Sequence, residues 1–215
     1  MQFINRSVLF GFFVLLVLSA CGGGGDEASS CDSSPCLNGG VCSDVNPGFI
    51  CGCPAGFYGE RCECTAAAPV RRDFTHMGTT VQPSIAFADL IVTGSADINI
   101  LALSGLGVVG GLSNNNVNSL ESLFFTFTQP MVDVAYGVSI AGNGDADMLV
   151  GEATVEPLDE AGVSLGVFDV AGSGLKDVSA LVNEVPVSAF SINTDNGGDY
   201  FILALLDYSP LVCSP

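Results

Sequence analysis

Three kinds of side chain in this sequence have types and spacings suited to chemistry. Nine cysteines offer thiols for bridging or for covalent attachment. Two short clusters, Asn143-Gly-Asp145-Ala-Asp147 and Asp195-Asn196-Gly-Gly-Asp199, concentrate side-chain oxygens at close spacing. A single histidine, His76, offers an imidazole. Six of the cysteines crowd together as Cys31, Cys36, Cys42, Cys51, Cys53 and Cys62, with the spacing C-x4-C-x5-C-x8-C-x-C-x8-C. A segment that short cannot bury enough apolar surface to fold alone and needs covalent staples. The spacing therefore reads as a disulfide framework, which implies an oxidising compartment outside the cytoplasm. Spacing alone leaves the pairing open.

The oxygen clusters admit two readings. Side chains at alternate positions can converge on one hard cation, and calcium takes roughly six to eight oxygens. The candidate ligands are Asn143, Asp145, Asp147, Asp195 and Asp199, with calcium as the candidate cofactor. The same Asn-Gly and Gly-Asp pairs are also the default chemistry of a solvated hairpin turn. His76, standing alone, argues against both a Ser-His-Asp hydrolase and a histidine-rich zinc site. The acidic pair Asp159/Glu160 suits a solvated loop better than a glycosidase cleft. The absence of tryptophan weakens a sugar-stacking platform, and Tyr136, Tyr200 and Tyr208 are expected in core or edge positions. No enzyme activity is expected.

These groups must be positioned by the rest of the chain. Residues 1–20 read as a secretory signal, with Arg6 as its positive end and Val8 to Leu18 as an apolar stretch too short for a membrane span. Leu18-Ser19-Ala20-Cys21 resembles a bacterial lipobox, which implies cleavage before Cys21 and lipid on its sulfur. Gly22 rather than aspartate follows, which in that family pattern favours the outer membrane or cell surface. Several acyl chains make a stable anchor. Residues 21–30, rich in glycine and serine, read as a flexible tether.

The run Cys31-Asp-Ser-Ser-Pro-Cys36, Leu37-Asn-Gly-Gly-Val-Cys42 and Cys51-Gly-Cys53-Pro-Ala-Gly-Phe-Tyr-Gly-Glu-Arg-Cys62 resembles the epidermal-growth-factor-like (EGF-like) domain. The module is assigned to residues 31–63. The resemblance implies the pairings Cys31–Cys42, Cys36–Cys51 and Cys53–Cys62. It also implies where calcium would bind in such a module, and here only half of that motif is present. Asp44 and Phe49 match it, but Ala28-Ser29-Ser30 precede Cys31 where acidic ligands belong. With Cys21 assigned to lipid and six cysteines to the module, Cys64 and Cys213 remain. They are expected to pair, clasping the C-terminal region, the alternative being a free thiol.

The net charge is −18, and removal of the signal leaves four basic against 23 acidic residues. Such a surface repels nucleic acid and anionic lipid headgroups. Only 13% of residues are charged and glycine is abundant, which favours a compact β-rich domain over a disordered acidic tail. Residues 64–215 carry short β-type runs separated by Gly/Asn/Asp turns: 84–92, 98–103, 122–127, 132–140, 148–156, 164–170, 187–193 and 200–206. Leu123, Phe125 and Phe127 share one face, and Asp177 is placed to cap a short helical turn. The expected fold class is mainly β, a small disulfide-rich EGF-like module followed by an antiparallel β-sandwich of jelly-roll type. Gly105-Leu-Gly-Val-Val-Gly-Gly followed by Glu121-Ser-Leu-Phe-Phe-Thr-Phe resembles β-sandwich domains of secreted bacterial proteins, including those with PEP-CTERM sorting tails. The functional expectation is a lipid-anchored surface protein that binds or adheres to protein or glycan. A structural envelope or matrix role is the alternative, and a glycan hydrolase is less favoured.

Overall fold

The computed structural model describes residues 29–101, 105–108, 117–118, 121–139, 152–171, 174–194 and 200–214. The small N-terminal unit contains β1 (Val41–Asp44), β2 (Phe49–Gly52) and β3 (Phe57–Tyr58). The larger unit runs β4 (Cys64–Ala66), β5 (Val70–Asp73), β6 (Thr80–Ala86), β7 (Leu90–Leu101), β8 (Gly105–Val108) and β9 (Val117–Asn118). It continues with β10 (Ser122–Ser139), β11 (Glu152–Leu158), β12 (Phe168–Ala171), β13 (Gly174–Asp177), α1 (Val178–Leu181), β14 (Val187–Thr194) and β15 (Tyr200–Cys213). The chain is mainly β, a disulfide-rich EGF-like module followed by an antiparallel β-sheet domain.

The module has too little apolar surface for a core of its own, and covalent bonds take that place. Cys31 is bonded to Cys42, Cys36 to Cys51, and Cys53 to Cys62. The β1–β2 hairpin sets Cys42 directly opposite Cys51, so two bridges leave the same point of the ladder. A Cβ on Gly40 would lie 2.7 Å from the Cys62 sulfur, so only glycine lets the chain pass this bridge. The C-terminal end of the module is tied back by Leu37 N–H donating to Arg61 O (2.7 Å) and Arg61 Nε donating to Pro35 O (2.7 Å).

The larger unit is organised around β10. Its first half pairs with β7 and β14, from Leu123 opposite Gly94 to Phe125 opposite Phe190. Its second half pairs with β15 and β13, from Met131 opposite Pro210 to Val138 opposite Leu203 and Gly174. Pairing of β7 with β8 and of β8 with β15 closes the ring β10–β7–β8–β15. At that closure Gly105 is indispensable: its φ is +128°, and a Cβ there would sit 2.0 Å from the Leu203 carbonyl oxygen.

Both halves of β10 contribute side chains to one core. Leu123, Phe125 and Phe127 point inward from the first half, and Val134 and Tyr136 from the second. Phe125 stacks on Phe190 at 4.5 Å, Tyr136 reaches the same Phe190 at 6.5 Å, and Phe127 tilts onto Tyr208 at 5.1 Å. Burying each such ring contributes about 1.5–3 kcal/mol of transfer free energy.

Strand boundaries differ from the sequence expectation where an apolar run hides a turn. Residues 84–92 do not form one strand. They straddle the end of β6 and the start of β7, and Phe87 N–H donates to Leu90 O across the turn between them. Conversely, 122–127 and 132–140 do not belong to separate strands, because β10 runs through both. Pro130 and Thr128 lie at the bend, and Thr128 N–H is satisfied by Asp89 O rather than by a ladder partner.

Module and sheet domain are joined through backbone as well as sequence. In the module, β3 pairs with β4, and β4 pairs with β15, placing Cys64 directly opposite Cys213. Those two cysteines are bonded. Ala67 N–H donates to Pro210 O (2.8 Å) and Ser214 N–H to Glu63 O (3.0 Å) on either side. The module's last hairpin is thus a continuation of the domain's sheet. The bond closes a separation of 149 residues. Replacing both cysteines by serine is expected to lower unfolding stability by about 5 kcal/mol in the chain-entropy model, read as a lower denaturant midpoint for the sheet domain.

Candidate functional site

Beside this junction lies an open groove of about 560 Å³ on the outer face of β5, β10, β13 and β15. Ala135 forms its floor, and Ala67, Pro69 and Leu175 form its apolar margin. The small side chain of Ala135, opposite Asp207 on β15, leaves the depression open. Leu175 stands on the far side and is 57% exposed.

Polar groups sit at the groove's ends. Arg71 and Asp207 are direct cross-strand partners, and the guanidinium grips the carboxylate with two bonds, Nε to Oδ1 at 2.7 Å and Nη2 to Oδ2 at 2.6 Å. The hydrogen bond to Asp207 raises the Arg71 pKa. Asp133 at the other end has no such partner. Among the described residues it makes no hydrogen bond or ion pair.

Asp133 is aimed outward by a local break in the ladder. Val132 pairs with Ser209 and Ala135 with Asp207, so β10 carries one residue more than β15 between these points. That is a β-bulge, and Asp133 sits in it at φ +52°, a left-handed conformation that aspartate tolerates better than most residues. The bulge takes Val134 N–H out of the ladder. Ser179 Oγ, 1% exposed, accepts it at 2.8 Å. Ser179 is held there by α1, whose first turn is capped by Asp177 Oδ1 accepting from Ala180 N–H (3.0 Å). The sequence signal for this support was the Asp177-Val-Ser-Ala-Leu cap. Nothing in the local sequence marks the bulge itself.

Asp133 belongs to a wider acidic rim. Glu184, at φ +62°, has a raised pKa, first from partial burial and then from repulsion by Asp177 and Asp133. Tyr58, on the module's β3, also has a raised pKa, from burial and then from Asp133 and Glu184. The rim therefore reaches from the groove to the module. The four basic residues of the described chain are engaged elsewhere. Arg71 is on Asp207, Arg72 on Asp89, Lys176 Nζ on Ala171 O, and Arg61 on Pro35 O.

Beneath the groove, on the core side of the same strands, Arg72 supports the sheet. Its Nη2 reaches Asp89 Oδ1 at 2.6 Å, its Nε donates to the Tyr208 hydroxyl at 2.9 Å, and that hydroxyl donates to Asp89 Oδ2 at 3.0 Å. The guanidinium also lies 4.7 Å over the Phe87 ring. Burial opposes the Arg72 charge, but the bonds to Tyr208 and Asp89 outweigh it and its pKa rises. The closed triangle satisfies a half-buried charge pair that would be costly with either partner missing.

The residues singled out from sequence are placed as follows. Asn143, Asp145, Asp147, Asp195 and Asp199 lie outside the described residues, as does Cys21. Among the described residues no group of three or more His, Cys, Asp or Glu side chains is arranged to hold a metal ion. At the module's N-terminal end, the described residues that match half of the calcium motif are bonded within the chain. The Asp44 carboxylate accepts from Cys31 N–H on Oδ1 (3.2 Å) and from the Ser29 hydroxyl on Oδ2 (2.5 Å). His76 is exposed, 3.7 Å from Asp73. Tyr136 and Tyr208 are core residues. Asp159 closes its own loop, Oδ1 accepting from Val163 N–H at 2.8 Å. That loop holds a G-x-S-x-G pentapeptide, Gly162 to Gly166. Ser164 lies between two strands rather than at a strand-to-helix elbow, and its Oγ accepts from Gly166 N–H.

Comparison with known proteins identifies one part of the chain. The EGF-like domain family model matches residues 31–61. Delta-like protein 3 of Mus musculus is 61% identical over 33 residues, which is 15% of this chain and 6% of that protein. Cadherin EGF LAG seven-pass G-type receptor 3 of Rattus norvegicus is 54% identical over 39 residues, 18% of this chain and 1% of that protein. The chain thus spans a small fraction of the length of these relatives, and the likeness is confined to the module. No solved structure matches the chain.

The bulge gives a direct test of how the groove is built. Ser179→Ala leaves Val134 N–H buried without an acceptor and is expected to cost about 1–3 kcal/mol. The same change should release Val134 amide exchange more than that of Phe125, read by hydrogen-exchange NMR.

Proposed function

We propose that this protein is exported, anchored by lipid on Cys21, and works at the cell surface as a binding or adhesion protein. In this reading residues 1–20 are the signal, residues 21–30 the tether, the EGF-like module a rigid spacer, and the sheet domain the ligand-presenting part. The observation that carries it is the junction: the module's β3 is hydrogen-bonded into the domain's sheet beside an open groove. Four disulfides support an oxidising location, since cytosolic thiols are kept reduced. The hairpin of the module adds exposed apolar surface, with Val41 at 69% and Ile50 at 60% on the same face. The acidic charge argues against nucleic acid as partner. The lipobox and the likeness of the sheet domain to secreted bacterial β-sandwich domains belong to this same reading.

Glycan-array binding and pull-down with the full chain test it. Saturable capture of a surface glycan or protein is expected. Consistent absence of any ligand would favour a structural envelope or matrix role. Running the capture with calcium and with chelator addresses the loops at 143–147 and 195–199. Loss in chelator assigns calcium to them, and unchanged capture leaves them as turns. The anchor is tested separately: Cys21→Ser should move the protein from the detergent phase to the aqueous phase in cloud-point partitioning, and an unchanged partition would remove the lipid.

A further inference from the structure

We propose that the groove beside the module binds a segment of a partner protein in which a lysine or arginine neighbours an aliphatic side chain. This deepens the binding reading above and rests on it. The aliphatic side chain would fill the depression over Ala135 between Pro69 and Leu175, and the cation would meet Asp133.

Three observations converge on that occupant. The groove is open to solvent, with Ala135, Pro69 and Leu175 as an apolar strip beside Asp133. Leu175 stays exposed at its edge, where covering it would remove apolar area from water. The charge at the open end is negative: Arg71 is spent on Asp207, Asp133 makes no hydrogen bond or ion pair among the described residues, and Glu184 nearby is repelled by Asp177 and Asp133. A cation arriving from outside relieves that repulsion, so complementarity selects a basic partner. The acidic rim continues past the groove toward Tyr58 of the module. A ligand satisfying both parts must extend beyond the depression, as a peptide segment does and a compact metabolite does not. The bulge supplies the positioning: Ser179 fixes Val134 from below, so Asp133 points outward without having to be ordered by the ligand.

The test uses the full chain and three fluorescent peptides read by anisotropy: Gly-Ser-Lys-Leu-Arg-Ser-Gly, a twin with serine for leucine, and a twin with glutamate for both basic residues. The first peptide is expected to bind saturably. The twins should bind about fivefold or more weakly, as loss of an apolar anchor or of a charge pair predicts. Asp133→Asn preserves the left-handed backbone and should weaken the first peptide by a similar factor, as should Leu175→Ser at its exposed position. Asp32→Asn, an exposed acid of the module, should leave it unchanged. Equal binding of the serine twin, or equal loss in Asp32→Asn, would reduce the effect to general acidity and overturn the groove. Displacement of the peptide by equimolar spermine would overturn the requirement for a protein segment. Should the full chain capture a surface partner that Asp133→Asn and Leu175→Ser leave untouched, the groove assignment falls while the binding function stands. If nothing is captured at all, the binding function falls.

Discussion

The antiparallel pairing of the last strand, β15, is the constraint on which the rest of this structure depends. It pairs with the second half of β10, with β5 at the groove, with β8 at the closure of the ring and with β4 at the module. Its pairings join residues far apart in sequence, so each carries a loop-closure cost that local contacts do not. The bond from Cys64 to Cys213 offsets part of that cost by holding the far end of β15 in register. Once β15 is fixed, the second half of β10 has a partner, and the core between the halves of β10 can close on Phe190.

The same constraint explains why the module and the sheet domain form one surface. An EGF-like module joined by a free linker would present its hairpin at any angle. Here β3 extends the sheet through β4, and backbone bonds on both sides of Cys64 leave little freedom at the joint. Tyr58 is close enough to Asp133 and Glu184 to feel their charge, so the groove's acidic end belongs to both units. Binding chemistry at the junction is then a property of the assembly.

Much of this was legible in the sequence where side-chain period and covalent chemistry speak directly. The spacing of six cysteines announced the module, and the alternation of Leu123, Phe125 and Phe127 placed one face of β10 in the core. Asp177 announced the cap of α1. What the sequence concealed was topological. Asp89 is the one break in the apolar run at Phe87-Ala-Asp89, and the turn there is held by Phe87 N–H to Leu90 O and by Arg72, which grips Asp89 and lies over the Phe87 ring. Nothing in Gln129-Pro130-Met131 says that one strand continues through a bend, since the decision lies in which partners are available on either side. The bulge at Asp133 is likewise fixed by a distant serine. The groove is hidden for the same reason: Ala135 and Val70 become neighbours only through β15.

The central claim is that the EGF-like module and the sheet domain behave as one rigid body through β15. Backbone 15N relaxation of the full chain tests it most directly. The account predicts a single rotational correlation time for amides of residues 31–62 and of the sheet strands. A distinctly shorter correlation time for the module, with the strands β4 and β15 tumbling apart from it, would contradict it.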